Sequence, residues 1–422
     1  MPPKKTIDPT ATTRPDDDAA LKINLRHLRA FAIVAATGSM KEAAEALFRV
    51  PSAVTRAVSE LESGLGVLLF ERMPRGTLLT AYGKAVLERA RRVDNELILA
   101  CQEMTPGDTR GSSGARGVME SMFSGRRLAL FASLSDMHNM PAVSRVFGVT
   151  QPALSALVRD LEQHAGCDLF IRSAAGMLPT RSGQQLAFRC KRALAELRSI
   201  DSDLAILRGV VRGRVVVGAL PLSRTLLLPS AIAALVERHP QVRVITVESP
   251  YELLAAELRS GELDFILGAL RPMDKSKELF QEPVFDDVLS LVVRAGHPLA
   301  DQPKISFVDL YRASWVLSRE GSPSRELLER FFRDLGQTSP QPTVETGDLA
   351  LLRGLLLKSD MVTAISAQQL YYEIEAGMLQ VLNFPLTTTR RQIGITRRST
   401  ALAAPCAMAL IEEVRRCAQD LR

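Results

Sequence analysis

The chain has 422 residues, of which 46% are hydrophobic and 24% are charged, and its formal net charge is +6. This length is too great for one compact core, so several domains are expected, and the composition is that of a folded soluble protein. No apolar run approaches the roughly 20 residues needed to cross a membrane, so no membrane partner is expected. The positive excess suits a nucleic-acid partner, but it also fits an ordinary protein surface.

The N-terminal segment is rich in Pro, Thr and Asp and lacks the apolar stretch of a secretory signal. We predict a disordered tail over residues 1–22 and a cytoplasmic protein. The five cysteines, at positions 101, 167, 190, 406 and 417, show no metal-ligand spacing. We therefore expect packed, reduced thiols with no metal and no cofactor, and redox sensing by one cysteine is the less favoured alternative.

An internal repeat with an offset of 100 residues covers the first half of the chain. The matching pairs include Leu28 and Leu128, Phe31 and Phe131, Leu61-Glu62 and Leu161-Glu162, Leu69-Phe70 and Leu169-Phe170, Thr80 and Thr180, and Gly83 and Gly183. Agreement this dense, without a gap, indicates two copies of one module, at residues 23–104 and 123–207. Residues 105–122 contain a Gly- and Ser-rich stretch and are predicted to be a flexible linker.

Each module starts with apolar residues at helical spacing and continues as two short helices joined by a tight turn. In the first copy, the second of these helices starts at Pro51 and turns Val54, Val58 and Leu61 inward. Its outward face is small, polar and basic, and an arginine-bearing strand–turn–strand segment follows it. This is the pattern of a winged helix-turn-helix, whose second helix enters the major groove of double-stranded DNA. The predicted DNA-binding residues are Ser52, Ala53, Thr55, Arg56, Ser59, Arg72 and Arg75 in the first copy, and Gln151, Pro152, Ser155, Arg159 and Arg172 in the second.

The segments PSAVTRAVSELESGLGVLLFERMPRG and TQPALSALVRDLEQHAGCDLFIRSAAG resemble the winged helix-turn-helix of LysR-type transcriptional regulators. The typical family member has one such module, so the duplication is a departure. The family's recognition helix usually opens with Gln-Pro-Ala-Leu-Ser, which the second copy keeps at residues 151–155 and the first copy lacks. The second copy has Ala175 where the first has Arg75. Two interpretations therefore stay open: both copies bind DNA, or one of them only packs.

An apolar stripe with steps of three and four residues follows each wing, which is the spacing of a coiled-coil seam. The stripes are Val86, Ala90, Val93, Leu97, Ala100 and Met104 in the first copy, and Leu186, Cys190, Ala193, Leu197, Ile200, Leu204 and Leu207 in the second. The resemblance implies that this linker helix dimerises the DNA-binding modules, and packing on its own module is the alternative. Two seams in one chain also permit pairing within the chain. The expected self-association is a homodimer or a tetramer.

From residue 208 to 422, short apolar strands alternate with helices, which predicts a parallel sheet. The segments RGRVVVGAL and LRSGELDFILGA resemble the effector domain of LysR-type regulators, which implies two α/β lobes of the type 2 periplasmic-binding-protein fold. We place lobe 1 at about residues 214–294 and 388–422, and lobe 2 at about 295–387. The fold class is thus multidomain α/β, with two mainly α winged helix-turn-helix modules before a two-lobed sensor.

Small ligands bind at the carboxyl ends of such strands, in the crevice between lobes. The predicted effector-binding residues are Pro221, Ser223, Ser249, Pro250, Arg271, Ser318, Ser322, Thr346 and Ser366, each of which also fits a helix cap or turn. The segments REGSPSRELLERFF and ETGDLALLRGLL resemble the galactose-binding-protein-regulator branch of the family. That resemblance implies a small organic effector such as a sugar or sugar acid, and other small metabolites stay possible.

The sequence contains no nucleophile elbow, phosphate-binding loop or dinucleotide motif, and its five histidines are isolated. We therefore expect a DNA-binding transcriptional regulator that responds to an effector, and not an enzyme. The alternatives are an enzyme fused to DNA-binding modules, a solute-binding protein, and an architectural DNA-binding protein. A salt-dependent, specific DNA footprint that one metabolite shifts would separate these classes.

Overall fold

A computed structural model describes residues 19–73, 76–104, 117–118, 121–272 and 277–419, without the side chains at 19, 72 and 73. Within these ranges no helix has the length and apolar character needed to cross a membrane. The chain forms two compact units, one reaching Gly213 and including Ser260–Glu262, and the other comprising the rest.

The predicted disordered tail lies mostly outside the described residues, but its last four residues form helix α1 (Ala19–Lys22). This corrects the prediction for that end of the tail. Ala20 is buried, and its carbonyl oxygen lies where a Cβ at Gly125 would come within 2.3 Å. The close backbone approach at Gly125 gives the helix a packing partner, which composition alone does not reveal.

The first module has the predicted order of helices and hairpin. It contains α2 (Leu25–Thr37), α3 (Met40–Ala46), α4 (Pro51–Leu65), β1 (Phe70–Met73), β2 (Gly76–Leu79) and the long linker helix α5 (Ala81–Met104). Local signals set these boundaries. Helix α2 ends at Gly38, whose φ of 72° suits glycine, and the Ser39 side chain caps α3 by accepting from the Glu42 N–H. Pro51 occupies the first turn of α4, where its missing N–H costs no hydrogen bond.

The second module repeats this order. It contains α6 (Gly125–Met137), α7 (Met140–Phe147), α8 (Gln151–Ala165), β3 (Phe170–Ser173), β4 (Gly176–Pro179) and the linker helix α9 (Arg181–Ile206). The repetition extends to packing detail, because the rings of Phe31 and Phe70 lie 5.2 Å apart, as do those of Phe131 and Phe170. The two copies are therefore built around the same core contacts.

The two linker helices, α5 and α9, pack against each other within the chain. They run antiparallel, since Arg89 near the start of α5 contacts Asp203 near the end of α9, and Arg189 contacts Glu103 in the same way. The predicted seam residues are buried except Leu207, which follows the end of α9 and is 44% exposed. Buried side chains of both modules form one hydrophobic cluster. Of the pairings left open by the sequence, the structure has the one within the chain.

The sensor unit has two five-stranded sheets. Lobe 1 contains β5 (Gly213–Ala219), α10 (Leu227–Arg238), β6 (Val242–Val247), α11 (Tyr251–Ser260), β7 (Phe265–Ala269), β8 (Leu279–Asp287), β14 (Arg391–Arg398) and α16 (Pro405–Gln419). Lobe 2 contains β9 (Leu289–Arg294), α12 (Phe307–Arg312), β10 (Ser314–Leu317), α13 (Pro323–Asp334), β11 (Val344–Glu345), α14 (Leu349–Lys358), β12 (Met361–Ser366), α15 (Tyr371–Glu375) and β13 (Leu379–Val381). The strand orders are β6-β5-β7-β14-β8 and β11-β10-β12-β9-β13.

Two features of these sheets correct the sequence prediction. The sheets are mixed, because β14 runs antiparallel to β7 and β8, and β9 runs antiparallel to β12 and β13. Parallel pairing holds between β5 and β7 and between β10 and β12. The chain also leaves lobe 1 at Val288 rather than after residue 294, because β9 pairs in the second sheet.

Candidate nucleic-acid interface and effector site

The outward face of α4 in the first module is open to solvent. Ser52, Thr55, Arg56 and Ser59 are exposed, and Ala53 is half-buried. Arg56 has an 82% exposed side chain, and its Nε donates to Glu60 Oε1 at 2.7 Å. This hydrogen bond raises the pKa of Arg56 and lowers the pKa of Glu60. The face thus offers hydroxyls and one guanidinium, the groups that contact bases and phosphates.

The corresponding helix of the second module, α8, presents a different set of groups. Thr150 caps the helix by accepting from the Ala153 N–H, and Gln151, Pro152 and Arg159 are exposed. Ser155 is half-buried, and its hydroxyl lies 3.2 Å from the sulfur of Met140. The predicted contact from Ser155 is therefore less accessible than that from its counterpart Thr55.

The hairpin beside each recognition helix is attached in the same way in both copies. Glu62 Oε1 accepts from the N–H groups of Leu69 and Phe70 at 2.7 and 3.2 Å, and Glu162 repeats these bonds in the second module. Arg172 is exposed on the second wing. Arg72 pairs through its backbone with Thr77, its side chain is not described, and Arg75 lies outside the described residues.

The turn between α3 and α4 carries a residue that sequence reasoning missed. Phe48 is 86% exposed and has a φ of 53°, a conformation that is uncommon for an aromatic residue. Gly148 occupies the equivalent position in the second module with a φ of 60°. The repeat offset contained this signal, because a residue that aligns with a turn glycine must adopt the same backbone conformation.

The interface between α5 and α9 contains two reciprocal sets of ion pairs. Arg89 donates to Glu196 at 2.7 Å and to Asp203 at 2.6 Å, and its side chain is 1% exposed. Burial lowers the pKa of Arg89, but the two carboxylates outweigh burial and raise it. Arg189 donates to Glu96 at 2.8 Å and to Glu103. The two sets are equivalent under the 100-residue offset. Arg89 matches Arg189, Glu196 matches Glu96, and Asp203 matches Glu103, which carries the same charge. The interface therefore has pseudo-twofold symmetry.

The predicted effector residues all follow or end strands of the sensor, but the protein itself uses three of their hydroxyls. Ser223 is fully buried and donates to the carbonyl oxygens of Leu220 and Leu267. Ser366 is fully buried and donates to Asp287 at 2.6 Å, and buried Thr346 accepts from the Asp348 N–H. These hydroxyls hold turns and strand ends, and contact of the three residues with a ligand stays a prediction.

The remaining predicted effector residues keep accessible surface. Pro221 and Pro250 are exposed, and Ser249, Arg271, Ser318 and Ser322 are half-buried, with the last two hydroxyls 2.8 Å apart. Arg271 stacks over the Tyr251 ring at 5.0 Å. Burial lowers the pKa of Arg271, opposed by Glu252 and Tyr251.

A buried charged cluster joins the two lobes where the chain crosses between them, and no sequence pattern had pointed to it. Asp287, the last residue of β8, accepts from Arg391 Nε at 2.9 Å as well as from Ser366. Arg391 also donates to Ser324 of lobe 2 at 3.0 Å. Next to this cluster, the Leu289 N–H donates to the Thr389 hydroxyl. The two crossing segments are thereby tied to each other and to both lobes.

In each of the paired modules, the second helix of the helix-turn-helix, α4 or α8, has an exposed face. Two such modules before a two-lobed α/β domain define a transcriptional regulator that binds DNA and carries a ligand-responsive domain. The family described as bacterial regulatory helix-turn-helix protein, lysR family, matches residues 25–84 and again 126–184, and the LysR substrate binding domain matches residues 208–419. The chain therefore belongs to the LysR family of DNA-binding transcriptional regulators, and it is not an enzyme.

Two relatives illustrate how far this membership reaches. The chain is 46% identical over 392 residues to the HTH-type transcriptional regulator GalR of Pseudomonas putida KT2440, an alignment that covers 93% of this chain and 96% of the relative. The part of this chain outside the alignment is shorter than either module, so the alignment includes residues of both modules. The HTH-type transcriptional regulator GbpR of Azospirillum brasilense is 28% identical over 243 residues, which cover 57% of this chain and 71% of that protein.

Solved structures agree on the fold. A full-length variant of OxyR from Pseudomonas aeruginosa matches 70% of this chain and 94% of its own, with a TM-score of 0.52 and 22% identity. Full-length CbnR in complex with its target DNA matches 70% and 100%, with a TM-score of 0.50 and 20% identity.

Proposed function

We propose that both modules contact double-stranded promoter DNA, through the outward faces of α4 and α8 and their wings. The observation that carries the proposal is that each face is free of packing within the unit: Thr55 and Arg56 are exposed on α4, and Gln151 and Arg159 on α8. A helix docked in the major groove needs such a face, with side chains able to hydrogen-bond base edges and phosphates. A copy that only packed would have no reason to keep it open.

The effector is proposed to be a small organic molecule, such as a sugar, a sugar acid or another small metabolite, bound between the lobes. The accessible candidates are Pro221, Ser249, Pro250, Arg271, Ser318 and Ser322. Their hydroxyls and guanidinium suit hydroxyl and carboxylate groups. The 28% identity to GbpR supports the resemblance to the galactose-binding-protein-regulator branch of the family. That resemblance is the reason for proposing a sugar-type ligand.

Effector binding is proposed to rotate the lobes about the two crossing segments. The cluster of Asp287, Ser366 and Arg391 ties these segments together, so we expect its geometry to change when the lobes move. A coupling free energy of about 1–3 kcal/mol between two sites is typical of allosteric proteins, and we expect a value in this range between the sensor and the DNA-binding modules. We also propose a cytoplasmic location and self-association as a homodimer or tetramer through surfaces outside the α5–α9 seam.

The test uses duplexes selected from a random pool by the purified full chain. Thr55→Ala with Arg56→Ala, and separately Ser155→Ala with Arg159→Ala, are each expected to weaken binding by about 5- to 150-fold. Arg312→Ala, an exposed position of the sensor, is the matched control and should bind as the parent does. If only one pair weakens binding, the other copy does not contact DNA.

The effector half of the proposal is tested separately. Thermal melting of the full chain is followed across a panel of sugars, sugar acids and organic acids. A ligand that stabilises the sensor in the parent and not in Arg271→Ala supports the site, whereas equal stabilisation of both places the ligand elsewhere.

A further inference from the structure

The seam that would join two copies of this chain is already occupied within one copy. The apolar stripes of α5 and α9 face each other, and Arg89 and Arg189 reach across to carboxylates of the opposite helix. An intramolecular pairing of this kind benefits from a high effective concentration, because the two modules belong to one chain. The linker helices therefore have little to gain from pairing in trans.

A second contact joins the modules at the starts of their first helices. Asn24 and Ser124 form an antiparallel bridge, and these two residues are themselves 100 positions apart. The guanidinium groups of Arg26 and Arg29 lie 5.4 and 5.9 Å from the centre of the Phe123 ring. A bridge between equivalent residues lies on the pseudo-twofold axis that relates the modules. The same axis therefore passes through the Asn24–Ser124 bridge and the α5–α9 seam.

The surfaces that this axis relates are chemically unequal. Arg56 on α4 corresponds to exposed Ala156 on α8, and Ser59 corresponds to exposed Arg159. The arginine has thus moved about one helical turn along the reading face. Gln151 supplies an amide able to read adenine, where the first module has Pro51. The two helices cannot prefer the same bases.

We infer that a single chain is the complete unit that spans two half-sites, and that its operator is asymmetric and is read in one fixed orientation. Symmetric dimers of helix-turn-helix proteins bind palindromes, because operator symmetry mirrors protein symmetry. Here the relation between the modules is only approximate, so the two half-sites differ in sequence. This inference rests on the proposal that both modules contact DNA.

The first experiment determines the sequence that the full chain selects from a random duplex pool. Two unlike half-sites are expected. Arg56→Ala should relax the base preference in one half only, and Arg159→Ala in the other half only. A variant that gives α4 the reading residues of α8 (Pro51→Gln, Ser52→Pro, Thr55→Ser, Arg56→Ala and Ser59→Arg) should select a more symmetric site. A palindrome selected by the parent chain overturns the inference.

The second experiment concerns the pair of modules that binds one operator, called the reader below, with one module as each half. It asks whether both halves of a reader come from one chain. Chains with a disabled first module (Thr55→Ala, Arg56→Ala) are mixed, by unfolding and refolding together, with chains with a disabled second module (Ser155→Ala, Arg159→Ala). With pairing within each chain, every reader has one disabled half, so the mixture binds the selected duplex no better than the separate variants. If α5 of one chain pairs with α9 of another, some readers contain two intact halves and binding recovers.

These outcomes distinguish the inference from the proposed function. Recovery of binding in the mixture, at parent-like affinity for a fraction of the protein, refutes the single-chain reader while leaving DNA contact by both modules intact. Selection of a sequence that only one module's variants alter refutes the proposed function itself. The readout does not depend on association through the sensor, because a sensor-linked dimer still contains one disabled half in each reader. Circular dichroism of each variant verifies that these substitutions leave the fold unchanged.

Discussion

Arg89→Ala tests whether the reciprocal ion pairs hold the two modules together. The Arg89 side chain is 1% exposed, and its partners Glu196 and Asp203 are 7% and 14% exposed. Removing one partner of a buried pair leaves uncompensated charge and costs about 3–5 kcal/mol. Arg189 is 15% exposed and its partner Glu103 is 31% exposed, so Arg189→Ala should cost less, about 1.5–3 kcal/mol.

Urea unfolding of the full chain provides the measurement, with a separate signal for each unit. Helical circular dichroism reports both units, whereas the single tryptophan, Trp315, lies buried in the sensor and reports that unit by fluorescence. With a slope of about 2 kcal/mol per molar urea, Arg89→Ala should lower the midpoint of the module transition by roughly 2 M. The tryptophan transition should not move.

A matched control sets the scale of the effect. Arg92 forms an i,i+4 pair with Glu88 on α5, with side chains 32% and 49% exposed, and such solvent-accessible pairs contribute only about 0.3–0.5 kcal/mol. If Arg89→Ala destabilises the modules no more than Arg92→Ala does, the buried ion pairs do not stabilise the seam and the reasoning fails. A shift of the tryptophan transition would instead show that the substitution acts on the sensor.

Three further predictions address other parts of the fold. Gly83→Ala and Gly183→Ala should each cost about 1–3 kcal/mol in thermal melts, and by equal amounts, because the added Cβ would lie 2.1 Å from a backbone oxygen at both sites; unequal losses would contradict the equivalence of the copies. Asp287→Asn should destabilise only the tryptophan transition, by about 1.5–3 kcal/mol, since it weakens the bond to Arg391, and an unchanged midpoint would refute a role for this cluster. Burial raises the pKa of Asp94 more than a nearby arginine lowers it, so the ionised form of Asp94 disfavours folding above that raised pKa. Asp94→Asn should therefore be more stable than the parent at pH 7, and this advantage should disappear as the pH falls toward about 3.9. A stability difference that stays constant across pH would be inconsistent with this prediction.

The modules were predictable because their signals are local. Helix ends at Gly38 and Gly66, the cap at Thr180 and the proline start at Pro51 all act within a few residues of their own position. The apolar spacing then fixes which face of each helix is buried. The exposure of the reading residues followed from the same spacing, and Ser155 departs from it because a thioether on the neighbouring helix α7 covers its hydroxyl.

The sensor was less predictable where contacts join residues far apart in the chain. Strands β8 and β9 are separated by Val288 alone, yet they belong to different sheets, so nothing local marks the change of lobe. The fate of a hydroxyl depends on distant partners in the same way. Ser366 looked available at the end of its strand, but its acceptor Asp287 lies 79 positions earlier in the chain.

Residues that hold the paired modules together vary less between the two copies than residues proposed to read DNA. The arginines at 89 and 189 and the glutamates at 96 and 196 are the same in both copies, and all four lie in the seam. Pairing of α5 with α5, or of α9 with α9, between two chains would place the same opposite charges together as pairing of α5 with α9 does. Sequence alone therefore cannot choose among these pairings. The aligned positions predicted to contact DNA, by contrast, differ between the copies at six of eight, with only Ala53 and Arg72 retained as Ala153 and Arg172. Once both halves belong to one chain, the symmetry of the seam no longer requires the reading helices to be identical, and each half is free to specialise for its own half-site.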